Sequence, residues 1–153
     1  MYLWRTKSLA EDIKNNVVTQ ADELKYYITY SVLTLVSMYA LERGDPGDGV
    51  ISIVAYGLLI ITVFVWSRIC FLTNKGNDGK NLIGRISMLS VPLTIKATLL
   101  LIVFAIVGGA ILISTISEDK LDIYTQYLAA VSAIFLSNFI FFRINKHLKY
   151  INS

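Results

Sequence analysis

The sequence predicts an all-α integral membrane protein, a four-helix bundle with short amphipathic helices on its cytoplasmic side. Three observations predict it: long uncharged apolar runs, a low overall charge content, and basic residues concentrated in alternate connections. Of 153 residues 55% are hydrophobic and 16% charged, with a mean hydropathy of +0.59, whereas soluble domains carry roughly 25% charged residues. The runs 26–41, 50–67, 97–117 and 123–142 hold no charged side chain. Each approaches the roughly 17–25 residues that a helix needs to cross a hydrocarbon core about 30 Å thick. In lipid every backbone N–H and C=O must find an internal partner, which leaves helices or a closed barrel, and continuous apolar runs without alternation exclude the barrel.

Basic residues set the orientation. Arg5, Lys7, Lys14 and Lys25 precede the first run, and only Arg43 lies in the first connection. Arg68, Lys75, Lys80 and Arg85 follow in the second, only Lys120 in the third, and Arg143, Lys146 and Lys149 after the last run. Cytoplasmic connections retain Lys and Arg, so the N-terminus, the middle connection and the C-terminus are expected inside. The opposite face then carries Glu42, Asp45, Asp48, Glu118, Asp119 and Asp122, an asymmetry that the net charge of +3 conceals.

Taken in order, Ser8 and Glu11 have capping-box spacing, and Leu9, Ile13 and Val17 share a helical face. This predicts an interfacial helix over about 8–17, with Trp4 anchored at headgroup depth. Thr19 and Asp22 repeat the cap spacing before a first span over 20–42, and a Gly/Pro turn over 43–49 stops it. Span two covers 50–72. A turn at 73–80 leads to a second interfacial segment over about 80–90, with Leu82, Ile83, Ile86 and Leu89 on one side. Pro92 is expected to start span three, 92–117, with Lys96 one turn inside and snorkelling outward to water. Span four covers 122–143. No linker separates domains within 1–153, and Met1–Lys25 lacks the apolar core of a cleavable signal, so the first span is expected to direct insertion.

In span one Tyr27, Tyr30, Ser31, Thr34 and Ser37, with Met38, fall within about a third of the helical circumference. Such a face could line a water-filled path if copies assemble around an axis, or its hydroxyls could bond their own carbonyls and a neighbouring helix. Ala105 with Gly109, beside Gly108 and Ala110, and Ala129, Ala133 and Ser137 are small residues spaced for close helix approach. Asn138 is expected to link helices. Trp4, Arg5, Lys7, Arg68, Lys96, Arg143 and Lys146 are candidate lipid-headgroup contacts, since each juxtamembrane basic charge contributes about 1 kcal/mol near an anionic surface.

Nothing in the chain has the pattern of a catalytic, cofactor or metal site. The span centres carry no Asp, Glu, His or Arg of the kind a pump uses. His147, the only histidine, stands in a basic tail without Cys, Asp or Glu nearby, and the lone Cys70 allows no intrachain disulfide. The segment 76–81 lacks the spacing of a phosphate-binding loop. Asp78 with Lys80 is the nearest approach to an acid/base pair and reads as a turn.

The opening Leu3-Trp4-Arg5-Thr6 with Leu9-Ala10, together with Arg85 and Leu89-Ser90-Val91-Pro92, resembles a group of uncharacterised small bacterial membrane proteins over roughly residues 3–113. The resemblance implies a bacterial inner membrane and brings no activity or functional residues. The expectation is a non-enzymatic membrane component without cofactors, partnered by the lipid bilayer and by its own copies or another membrane protein, and not by nucleic acid. Its rival is a homo-oligomeric pore-forming or membrane-permeabilising protein.

Overall fold

Apolar runs that can satisfy their backbone only within themselves form helices. The computed structural model describes residues 2–42, 49–76, 79, 81–115 and 118–153, with side chains described outside 35–42, 49–52, 118–119 and 122. Among these the chain is all-α: α1 (Thr6–Lys14), α2 (Gln20–Glu42), α3 (Gly49–Thr73), α4 (Leu82–Thr115) and α5 (Glu118–Asn152), with no strand. Of the predicted turn at 43–49, Gly49 opens α3 and residues 43–48 lie outside the described residues, as do the Asp78 and Lys80 pair and the side chain of Ser37.

Among the described residues three helices are long and apolar enough to cross a membrane: Ile53–Thr73, Leu82–Thr115 and Ile123–Asn152. At 1.5 Å per residue, the 34 residues of α4 and the 35 of α5 are each about 50 Å long. That exceeds a hydrocarbon core of about 30 Å by roughly 20 Å. The surplus is where the core lies. Leu9, Ala10 and Ile13 of α1, Tyr26 of α2, Cys70 of α3, Met88, Leu89, Val91 and Leu93 of α4, and Ile144, Leu148 and Ile151 of α5 form one buried cluster. It gathers the first turns of α2, the last of α3, the first of α4 and the last of α5 at one end.

Beyond that end the helices are bare. Only 6% of each apolar window is buried, and large side chains such as Phe64, Ile106, Ile113 and Val131 are more than half exposed. In water this surface would be prohibitive at about 25 cal/mol per Å². Lipid removes the penalty. Among the described residues α3 packs on α5, α5 on α4 and α4 on α2, while α1 lies against both α5 and α4.

Several element boundaries differ from the sequence expectation. The segment 80–90 is not a separate interfacial helix: α4 runs unbroken through it, and Pro92 lies inside. Proline costs a backbone hydrogen bond and crowds the preceding turn, but residues 87–93 are all buried, so packing holds the helix through it. Span four likewise continues past 143 to Asn152. The predicted helix at 8–17 is instead α1, with Arg5 at its N-cap and Ser8 already inside, so the Ser8–Glu11 capping box does not form. The weaker-looking Thr19–Asp22 box does form: Asp22 N–H donates to Thr19 Oγ1 at 3.3 Å and Thr19 N–H to Asp22 Oδ2 at 3.4 Å.

Nor is the apolar face of α1 free to lie on a bilayer, because Leu9, Ala10 and Ile13 are buried against α4 and α5. Its two ends fix its direction. Thr6 meets Lys96 of α4, and Lys14 reaches Ser153 at 3.3 Å and stands 4.8 Å from the ring centre of Tyr150. Helix α1 therefore runs alongside the far part of α5, away from the bare apolar surfaces.

Candidate functional site

The packed end owes its polar framework to residues far apart in sequence. Asn74, in the turn after α3, is buried, and its Oδ1 accepts from Arg85 Nη1 at 2.8 Å. The same Nη1 donates to Asn152 Oδ1 at 2.9 Å, and Asn152 Nδ2 donates to the carbonyl of Thr73 at 3.1 Å. One guanidinium thus ties the end of α3, the first turn of α4 and the last turn of α5. Neutral amides serve here because a planar multi-donor cation can hold two acceptors at once. Sequence reasoning counted Arg85 as a topology charge and missed Asn74 and Asn152, since separations of 11 and 67 residues leave no local signal.

Helix α2 joins this end through Asn81. In the left-handed region at φ 43°, Asn81 caps α4 by accepting from Gly84 N–H at 3.1 Å, and its Nδ2 donates to Glu23 Oε1 at 2.7 Å. Tyr26 buries its ring and accepts a hydrogen bond from the backbone N–H of Tyr2. Between the α1–α2 turn and α4 a cleft of about 230 Å³ is lined by Ile13, Val18, Glu23, Arg85 and Met88 among others.

A second constellation stands where the packed end meets the bare helices. Lys96, expected to reach water, instead donates to Thr6 Oγ1 at 3.1 Å and lies 5.4 Å from the ring centre of Trp4. A cation over an indole face is attracted by the ring quadrupole. Trp4 remains exposed. On α5, Arg143 and His147 are half-buried, with Lys146 exposed beside them. The other candidate headgroup residues, Arg5, Lys7 and Arg68, are exposed, and Arg5 and Lys7 belong to the start of α1.

The small-residue seam divides. A methyl group added at Gly108 would stand 3.1 Å from Leu128 Cδ2, whereas nothing lies within 4 Å of one at Gly109. The tight α4–α5 approach is therefore at Gly108, and Ala105, Ala129 and Ala133 are exposed. Ser137 is half-buried. Asn138 does bridge helices: its Oδ1 accepts from Trp66 Nε1 at 2.9 Å and its Nδ2 donates to the Ile134 carbonyl at 2.9 Å. Trp66 also stacks on Phe141, with centroids 6.4 Å apart and planes 6° from parallel. Trp66 was not singled out from the sequence. A tryptophan about two turns from a span end was the available signal.

The polar stripe of α2 faces outward. Tyr27, Tyr30 and Thr34 are exposed, Ser31 is half-buried, and Thr34 Oγ1 donates to its own helix at the Tyr30 carbonyl, 2.9 Å away. Among the described residues no three His, Cys, Asp or Glu side chains are grouped to hold a metal ion.

No family model, curated protein or solved structure matches the chain. Thr6, Leu9 and Ala10 of α1 and Leu89, Ser90, Val91 and Pro92 of α4 are all buried in the packed end.

Proposed function

We propose that the chain is a non-enzymatic component of a bacterial inner membrane, crossing it four times with both termini in the cytoplasm. Helix α2 supplies the additional span, over 20–42. The protein acts through helix association and through its basic cytoplasmic end, as a subunit or regulator that engages further copies of itself or another membrane protein. One observation carries this: tight packing and most basic side chains gather at one end, while 6% burial of the apolar windows leaves long helical faces without a protein partner. In a bilayer such faces are where helices associate through small residues and side-chain hydrogen bonds. Cross-linking of the full-length protein in native membranes, followed by intact-mass analysis, should capture a discrete oligomer or a defined hetero-complex. A strictly monomeric species with no captured membrane protein would remove the proposal.

A second reading, a homo-oligomeric pore, draws on the outward hydroxyl stripe of Tyr27, Tyr30 and Thr34, which one chain leaves exposed. Copies arranged around an axis would turn that stripe toward water. Planar-bilayer recording should then show conductance that Ser31→Leu and Thr34→Leu reduce. Absence of conductance, or conductance insensitive to both substitutions, eliminates the pore.

A further inference from the structure

Three features coincide at the junction of α1, α4 and α5. First, Lys96 and Arg143 are half-buried cations, and among the described residues no carboxylate pairs with either; the ion pair there is Lys25–Asp22, at 3.3 Å. Taking a cation out of water without a counter-charge is costly, and the Thr6 hydroxyl and Trp4 ring that hold Lys96 do not neutralise it.

Second, Arg143 and His147 are four residues apart and so share a face of α5. Helix α1 lies along α5 with Lys14 at Tyr150, so Thr6 and its partner Lys96, about 12 Å back along α1, stand level with Arg143, and the charges of Arg143, Lys146 and Lys96 all act on the His147 imidazole. His147 Nε2 is itself buried there with no hydrogen-bond partner. Third, the junction opens directly onto bare apolar surface: Leu99 and Leu100 follow Lys96 on α4, Phe142 precedes Arg143 on α5, and each is 45% exposed or more.

Resting on the membrane reading above, we propose that this junction, bounded by Trp4, Thr6, Lys96, Arg143 and His147, binds the phosphate of an anionic phospholipid whose acyl chains lie along Leu99, Leu100 and Phe142. A phosphate supplies the absent negative charge and accepts from a point-charge ammonium and a forked guanidinium together. The adjoining apolar surface selects a lipid over a soluble phosphate, because a free anion would leave it uncovered. Trp4 sits at the depth where indole rings are stable beside headgroups.

The full-length protein in nanodiscs of phosphatidylcholine alone, or mixed with phosphatidylglycerol, tests this by native mass spectrometry of retained lipid. The wild type should retain phosphatidylglycerol selectively, and excess inorganic phosphate should not displace it. Arg143→Gln should weaken retention about 5-fold and Lys96→Gln/Arg143→Gln about 30-fold, as expected for one and two juxtamembrane charges. Lys149→Gln, with the same charge change on the far turn of α5, should match the wild type, as should the charge-conserving Lys96→Arg. Circular dichroism checks that each variant keeps its helicity.

Equal retention by Arg143→Gln and the double variant overturns the site. Displacement by inorganic phosphate overturns the lipid as its source. A chain that pellets with membranes yet retains no anionic lipid defeats this site alone, whereas a chain found in the soluble fraction defeats the membrane reading as well.

Discussion

The guanidinium of Arg85 meets two amide oxygens within 2.9 Å, and among the described residues no carboxylate stands at ion-pair distance from it. Hydrogen bonds to a charged group contribute about 1.5–3 kcal/mol each, more than a neutral pair. Asn152 accepts one of these and also satisfies the Thr73 carbonyl at the end of α3. Asn152→Ala should therefore lower the unfolding free energy by about 2 kcal/mol, read as a lower thermal midpoint in detergent. Lys149→Ala, one exposed position on the same turn, should leave the midpoint unchanged; equal midpoints for both variants would show that the crossing does not stabilise the packed end. Side-chain caps illustrate what residue-level chemistry conveys. Ser8 and Thr19 both have an acidic residue three positions on, but α1 begins at Thr6, before Ser8 can cap it. The start of a helix depends on what it packs against, and spacing alone does not carry that.

Among elements, the apolar spans were legible and their ends were not. Uncharged runs long enough for a bilayer announced α3, α4 and α5, because the length requirement is a property of the run itself. Pro92 suggested a helix start by its local chemistry, yet buried neighbours on both sides carry α4 through it. Of the two neighbouring glycines in α4, Gly108 stands at the approach to α5 and Gly109 faces open space. Here the geometry separates two roles. Gly108→Leu should force α4 from α5 through Leu128 and destabilise the single chain, and Gly109→Leu, with open space around it, should leave the fold intact. If Gly109→Leu also abolishes cross-linked oligomers, the open glycine lies in a seam between chains. Equal thermal midpoints for Gly108→Leu and Gly109→Leu would contradict the assigned approach.

Across the whole molecule, charge and packing divide the chain along its length. Helix α1, the polar crossing at Arg85 and the cluster at Lys96 and Arg143 share one end; bare apolar helices extend from it. The alternation of basic residues in the sequence is the ground for the proposed two-sided arrangement. The packed end was not legible, because it is assembled from the first turns of some helices and the last turns of others, brought together only by antiparallel packing. The amphipathic α1 shows the difference most clearly: its apolar face is equally suited to lipid or to protein, and the structure buries it against α4 and α5.

Side-specific labelling reads the central claim most directly. In a Cys70→Ser background, Lys7→Cys, Lys75→Cys, Asp48→Cys, Lys120→Cys and Ser153→Cys would each be exposed to a membrane-impermeant maleimide on intact cells and again after permeabilisation. Positions 48 and 120 should label in intact cells, and positions 7, 75 and 153 only once the membrane is opened. Labelling of position 7 or 153 from outside, or indifference of all five to permeabilisation, would contradict a chain threaded four times through the bilayer with its basic end inside.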